Sequence, residues 1–144
     1  MFDNFSISAS ALTAQRLRMD IIADNIANVN TTRTEDGSPY RRKIPVFKER
    51  KQASFRNIYY RSMLDRNENN GVMVSEIAED KTPFKMVYRP EHPDANEDGY
   101  VAMPNVNVTT EMVDMIDASR AYEANVTALN TAKNMALKAL EIGR

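Results

Sequence analysis

Residues 108–142, VTTEMVDMIDASRAYEANVTALNTAKNMALKALEI, contain neither glycine nor proline. Met112, Met115, Ser119, Tyr122, Val126, Leu129, Lys133, Ala136 and Leu140 recur in it every three or four positions. Spacing of that kind predicts a long helix with a coiled-coil seam. Beside the seam runs a row of alanines at 118, 121, 124, 128, 132, 136 and 139. Small side chains in that row let a second neighbour approach closely. Glu111, Asp114 and Asp117 near the start and Lys133 and Lys138 near the end suit the helix dipole. Asn107 or Thr109 fits the N-cap position and Gly143 the C-cap.

Working outward, residues 6–30 read as a second helix, with Leu12, Gln15, Met19, Ile22, Ile26 and Val29 on one stripe and Ala11, Ala14, Ile21 and Asn28 beside it. Asparagines 25, 28, 125, 130 and 134 lie within the two helices at a cost in propensity. Solvated positions and hydrogen bonds that fix register both remain open for them. All six prolines fall between residues 31 and 107, and proline is expelled from helix interiors. That middle piece offers strands at Arg41–Lys48, Phe55–Met63, Val72–Ile77 and Phe84–Tyr88, with Asn69–Gly71 as a hairpin turn. The predicted fold is mainly α, with long terminal helices paired as a coiled coil and a small β-rich segment of short strands between them. The terminal pieces, 1–32 and 105–144, form one discontinuous helical domain, and 33–104 the β-rich middle.

At 1.5 Å per residue the C-terminal helix spans roughly 50 Å, against a diameter of roughly 40 Å for a compact globule of this size. It should therefore protrude. Apolar rows on two of its sides exceed what pairing with the first helix can cover, so the remaining surface calls for other chains.

Composition narrows the function. A chain of 144 residues has room for one ordinary domain. Hydrophobic content of 42% and charged content of 27% describe neither a disordered chain nor a bilayer-spanning one. No stretch approaches the roughly 20 apolar residues of a membrane span, and the N-terminus lacks the pattern of a cleaved secretory signal. Without cysteine there are no disulfides, thiolate nucleophiles or cysteine-based zinc sites.

Candidate chemistry is sparse. Asp94–Gly99 matches the opening of a calcium loop, but position 12 is Asn105, and Pro90 and Pro93 break any entering helix. A surface turn accounts for the same residues. His92, the only histidine, has no second ligand at helical spacing. Residues 40–66 carry nine Lys/Arg against Glu49 and Asp65, interleaved with aromatics. That stretch suits a nucleic-acid-binding hairpin, or a basic face meeting an acidic partner surface through Arg41, Arg42, Lys43, Arg50 and Lys51. A net charge of −1 weighs against nucleic acid. No catalytic residue set, cofactor site or metal site emerges.

The runs ALTAQRLRMDIIADNIANVNTT (11–32) and NVNVTTEMVDMIDASRAYEANVTALNTAKNMALKALEIGR (105–144) resemble the terminal signatures of bacterial flagellar axial proteins. EDGSPYRRKIPVF (35–47) and GVMVSEIAEDKTPFKMVYRPEHPDANEDGYVAMPNVNV (71–108) resemble the proximal rod subunits within that family. The resemblance implies a structural subunit and no enzyme. It implies export by the flagellar type III apparatus without signal cleavage, and assembly into the basal-body rod crossing the periplasm. Implied neighbours are other rod proteins, proximal and distal, the rod-base junction protein and the MS ring, with neither nucleic acid nor direct membrane insertion. The expected interface is Leu12, Gln15, Met19, Ile22, Ile26, Val29, Met112, Met115, Tyr122, Val126, Leu129, Ala136 and Leu140.

Overall fold

The structure, a computed structural model, describes residues 2–50 and 71–142. The expected strand Phe55–Met63, Asn69 and Asn70 of the expected turn, Lys51 and Gly143 lie outside the described residues. Two long helices flank two antiparallel strand pairs along the chain, and only the first pair packs on a helix, the N-terminal one. The order is α1 (Phe2–Ala27), β1 (Lys43–Glu49), β2 (Val72–Glu79), β3 (Lys85–Tyr88), β4 (Tyr100–Met103) and α2 (Val108–Ile142).

The helices pack on each other in opposite directions. Asn25 of α1 bonds Glu111 of α2, and Arg18 bonds Asp114. Ala14, Ile21, Ile22 and Ala118 are buried in this contact region. Carried along both helices, this register sets the start of α1 beside about residue 130, so roughly the last three turns of α2 run past it.

α1 stops at Ala27, earlier than its apolar stripe suggests. The Asn28 amide donates to the Asp24 carbonyl at 2.9 Å, and the Thr31 hydroxyl donates to Asn28 Oδ1 at 3.1 Å. Such local side-chain bonds compete with continued helix. At the start of α2, Asn107 Oδ1 accepts the Thr109 N–H at 3.0 Å, which makes Asn107 the N-cap.

β1 and β2 form one hairpin whose arms close with the Arg50 N–H on the Gly71 carbonyl, 3.0 Å. The register runs Pro45↔Ile77 and Val46↔Glu76, then steps to Phe47↔Val74. Ser75 is therefore an extra residue, a β-bulge, and its hydroxyl donates to the Val46 carbonyl. Because faces alternate along a strand, this one residue moves Val72 and Val74 onto the face shared with Pro45 and Phe47. Val72 and Val74 line a groove with Ser10, Ala14 and Leu17 of α1.

β3 and β4 form a second pair, Lys85↔Met103 through Tyr88↔Tyr100. β4 was not among the expected strands. It is four residues long and follows a turn rich in Asp, Asn and Gly, too short for alternation to stand out. Its Val101 is fully buried, while Tyr88 and Tyr100 meet edge to face on the outside at 5.3 Å. The Asp94–Gly99 run is a turn in which Asn96 Oδ1 accepts the N–H groups of Asp98 and Tyr100.

Gly71 has φ +78°, and a Cβ there would collide with Ser10 Oγ, which accepts the Val72 N–H at 3.1 Å. Gly37 has a similar φ, +75°, but open space around it. Gly71→Ala should cost about 2–3 kcal/mol in urea denaturation, and Gly37→Ala only the left-handed backbone strain of about 1–2 kcal/mol.

Candidate functional site

The end of the helix pair nearest the strands is locked by a buried polar cluster. Asn25 is 1% exposed and Glu111 is fully buried. The Asn25 amide donates to the Lys43 carbonyl at 2.9 Å and to Glu111 Oε2 at 3.0 Å. Its Oδ1 accepts the Tyr40 hydroxyl at 3.0 Å and the Lys43 N–H at 2.9 Å. Every hydrogen-bonding capacity of that side chain is thus used.

Arg42 is the other centre. Its Nε meets Glu111 Oε1 at 2.6 Å and its Nη2 meets Asp114 Oδ2 at 3.2 Å. Its Nη1 lies 3.8 Å from Asp80 Oδ2. Arg18 approaches Asp114 from the opposite side at 3.2 Å. Asn105 ties the cluster to the chain before α2, accepting the Arg42 N–H and donating to the Asp80 carbonyl. Burial, with the negative charges of Asp24, Glu111 and Glu79 around it, pushes the Tyr40 hydroxyl above its ordinary pKa. Hydrogen bonds from the Thr82 N–H and hydroxyl, with Arg42 and Arg41 nearby, hold the Asp80 carboxyl below its ordinary value.

Arg42 accordingly finds its partners inside its own chain. Arg41 stacks on Phe84, its guanidinium 4.3 Å from the ring centroid, and donates to the Asp80 carbonyl. The Lys43 ammonium lies 5.5 Å from the Tyr40 ring centroid. Arg50 is exposed.

The expected interface residues separate into three sets. Ile22 is buried within the chain. Leu12, Gln15, Met19, Ile26, Val29, Met115, Tyr122, Val126, Leu129 and Ala136 are half-buried, and Gln15 Oε1 is buried with no hydrogen-bond partner among the described residues. Met112 and Leu140 stand exposed, at 56% and 73%. At 100° per residue, Glu111 and Ala118, itself the first of the alanine row, mark the line along which the predicted seam and that row adjoin. α1 sits on that line, so it shelters one edge of each row.

Two apolar groups on α2 remain uncovered. At the base, Val113 and Ile116 point away from α1, with Met112 beside them. At the tip, Met135, Leu137 and Leu140 extend beyond α1. Val113, Ile116, Met135 and Leu137 lie outside the predicted seam. For Val113 and Ile116 the signal was in the sequence, since Met112, Val113, Met115 and Ile116 spread over roughly 160° of the helix, wider than the seam alone. Among the described residues no cluster of metal-ligating side chains is present, and no helix is long and apolar enough to cross a membrane.

A two-helix frame with apolar surface left at both ends of one helix is the build of an assembling subunit, and comparison with known proteins gives its class. Residues 5–33 match the family described as flagella basal body rod protein, and residues 97–142 match the flagellar basal body rod FlgEFG protein C-terminal family. A flagellar basal-body rod protein FlgC of Bacillus subtilis (strain 168) is 50% identical, the alignment covering 99% of this chain and 98% of the relative. Its namesake in Borreliella burgdorferi is 47% identical, covering 99% and 97%. That of Escherichia coli O6:H1 is 42% identical, covering 97% and 96%. The chain belongs to the FlgC family of flagellar basal-body rod proteins. It is a structural protein of the flagellar basal body and not an enzyme.

Asn25→Ala should destabilise the chain by about 3 kcal/mol or more, because the Lys43 backbone and Glu111 lose buried partners, whereas Asp24→Ala, on the exposed side, should stay within about 0.5 kcal/mol in the same denaturation assay. The depressed pKa of Asp80 means that its ionised form stabilises the fold above the ordinary carboxylate value. That contribution is lost as pH falls through the depressed folded value. The acid limb of the stability curve, measured from about pH 5 downward, should therefore be shallower in Asp80→Asn.

Proposed function

We propose that the terminal helices pair as a coiled-coil unit and polymerise with those of neighbouring subunits to line the wall of a hollow rod. Residues 1–32 and 105–144 form this axial core, and residues 33–104 lie on the outside. The observation that carries the reading is the apolar surface of α2 left uncovered by its own chain: Met112, Val113, Ile116, Met135, Leu137 and Leu140, each at least half exposed. Surface of that extent on so small a chain marks an interaction site. Contacts between unlike patches, where the rotation from subunit to subunit does not close a ring, generate helical assemblies.

Torque then passes from subunit to subunit through many helix contacts, each modest by itself. The neighbours are other rod proteins, with the junction protein at the rod base and the MS ring below. The chain reaches this place in the periplasm through the flagellar type III apparatus. The polar cluster supports the mechanical role. It joins α1, α2 and β1 at one end, so that load on the helices is carried into the hairpin.

Leu129 tests the reading, because it is only half-buried in the single chain and sits on the seam. Leu129→Asp should retain the helical circular dichroism of the dilute protein yet leave cells without rods and non-motile, since assembly would bury an unpaired charge. Leu129→Met should assemble normally. Complete basal bodies carrying the aspartate would show that the helix seam is not the interface. Ile22→Asp serves as the contrast: Ile22 is buried within the chain, so that change should unfold the monomer itself.

A further inference from the structure

β1–β2 and β3–β4 are two-stranded sheets, so each has two edges along which backbone groups face away from the partner strand. Two of these edges are blunted within the chain. On β1 the Asn25 side chain takes both the N–H and the carbonyl of Lys43, and Pro45 has no N–H to offer. On β4 the Tyr100 N–H donates to Asn96 Oδ1 at 2.7 Å, and the Tyr100 carbonyl accepts the Asn96 N–H at 2.9 Å. β2 is held only at Val72, by Ser10 Oγ. The Asp80 N–H points at β1 and the Arg89 N–H at β4, to the carbonyls of Arg42 and Gly99. Alternation from these two residues turns the backbone groups of Ile77 and Glu79 on β2, and of Met86 and Tyr88 on β3, outward. Among the described residues no strand lies beyond them, and the side chains of Ile77, Met86 and Tyr88 stand exposed.

The two open edges carry opposite charge. Glu76, Glu79 and Asp80 lie along β2 and its end, whereas Lys81, Lys85 and Arg89 flank β3. Within one chain the edges stay apart, because Asn105 bonds the Asp80 carbonyl and the Thr82 hydroxyl in the link between the strands, and Phe84 is stacked with Arg41. We propose that the open edge of β2 pairs antiparallel with the open edge of β3 of a second copy of this chain, joining the two ribbons into one sheet. The proposal rests on the polymerisation reading above and adds a joint between the outer segments. In the register Ile77↔Tyr88 and Glu79↔Met86, Arg89 of the second copy falls opposite Glu76 and its Lys85 opposite Asp80. Ile77 and Tyr88, exposed in the single chain, then cover each other. Each copy offers one edge of each kind, so the joint can repeat from copy to copy. Two hydrogen-bonded residue pairs bury little area, so the joint forms only alongside the helix contacts of an assembled rod.

Glu76 and Arg89 are both exposed and the sequence contains no cysteine, so the register can be tested covalently. In this register they face each other between hydrogen-bonded pairs, with Cα atoms about 4.5 Å apart, inside the range a disulfide spans. Full-length Glu76→Cys/Arg89→Cys is expressed in place of the wild-type protein, basal bodies are isolated, and mild oxidant is applied. Disulfide-linked multimers of this chain should reach about tenfold or more the level in either single variant. Met73→Cys/Arg89→Cys, displaced three residues along β2, should stay at the level of the single variants. If loss of the charge pair prevents rod formation, Ile77→Cys/Tyr88→Cys, about 5.5 Å apart in the same register, replaces the first pair. Motile cells whose paired variant stays monomeric under oxidant would overturn the joint while leaving polymerisation intact. Equal multimers in a single variant or in the Met73 control would also overturn it, as would cross-links reaching only a different rod protein. Assembly of Leu129→Asp would instead bring down polymerisation through the helices, leaving the strand joint to be judged by these cross-links alone.

Discussion

Asn25 and Glu111 are polar side chains withdrawn almost wholly from water, and the rest of the structure depends on their being satisfied at the same time. A buried carboxylate is tolerable only with a charged partner and further hydrogen bonds. Glu111 has both, in the Arg42 guanidinium and the Asn25 amide. Asn25 reaches α2, the Tyr40 hydroxyl and the β1 backbone simultaneously. Sliding α1 past α2 by one turn would part Asn25 from Glu111 and Arg18 from Asp114, leaving buried polar capacity unpaired at about 1–3 kcal/mol for each buried group. Apolar stripes alone tolerate such a slip much better. The cluster therefore sets helix register and hairpin position together, a gain in specificity more than in net stability.

That placement divides α2 into two regimes. Near its start the helix is clamped by charge pairs to α1 and the strands. Towards its end it outruns α1 and presents Met135, Leu137 and Leu140 to solvent. A subunit built this way has one end held by polar pairs and one whose apolar side chains stand in solvent. The strand pairs follow the same economy. Ser75, a single extra residue, turns Val72 and Val74 toward α1 and leaves Met73 exposed on the other face.

Much of this was legible in the residues. Long runs without proline located both helices, and the proline-rich interval located the strands. Local chemistry offered Asn107 or Thr109 as the cap of α2, and the structure selects Asn107. The predicted seam on α2 is half-buried along most of its length, because α1 packs where that stripe and the alanine row adjoin and takes one edge of each. Arg42 looked like surface charge awaiting a partner, since its three carboxylate partners lie 38 to 72 positions away. Asn25 kept two readings open, solvated or register-setting, and the structure shows it holding register. β4 escaped notice because four residues carry too little alternation to register as a strand.

The sequence by itself located both helices and the strands β1, β2 and β3 to within a few residues, and pointed to more apolar surface than one helix pair covers; these are consequences of periodicity, proline and length, which act over a few residues. Only the tertiary structure decided which polar groups sink into the interior, which edge of each apolar row stays open, and that the open surface lies at the two ends of α2. Those outcomes depend on desolvation and pairing between residues distant along the chain, and a stripe pattern is the same whether its neighbour comes from the same molecule or the next.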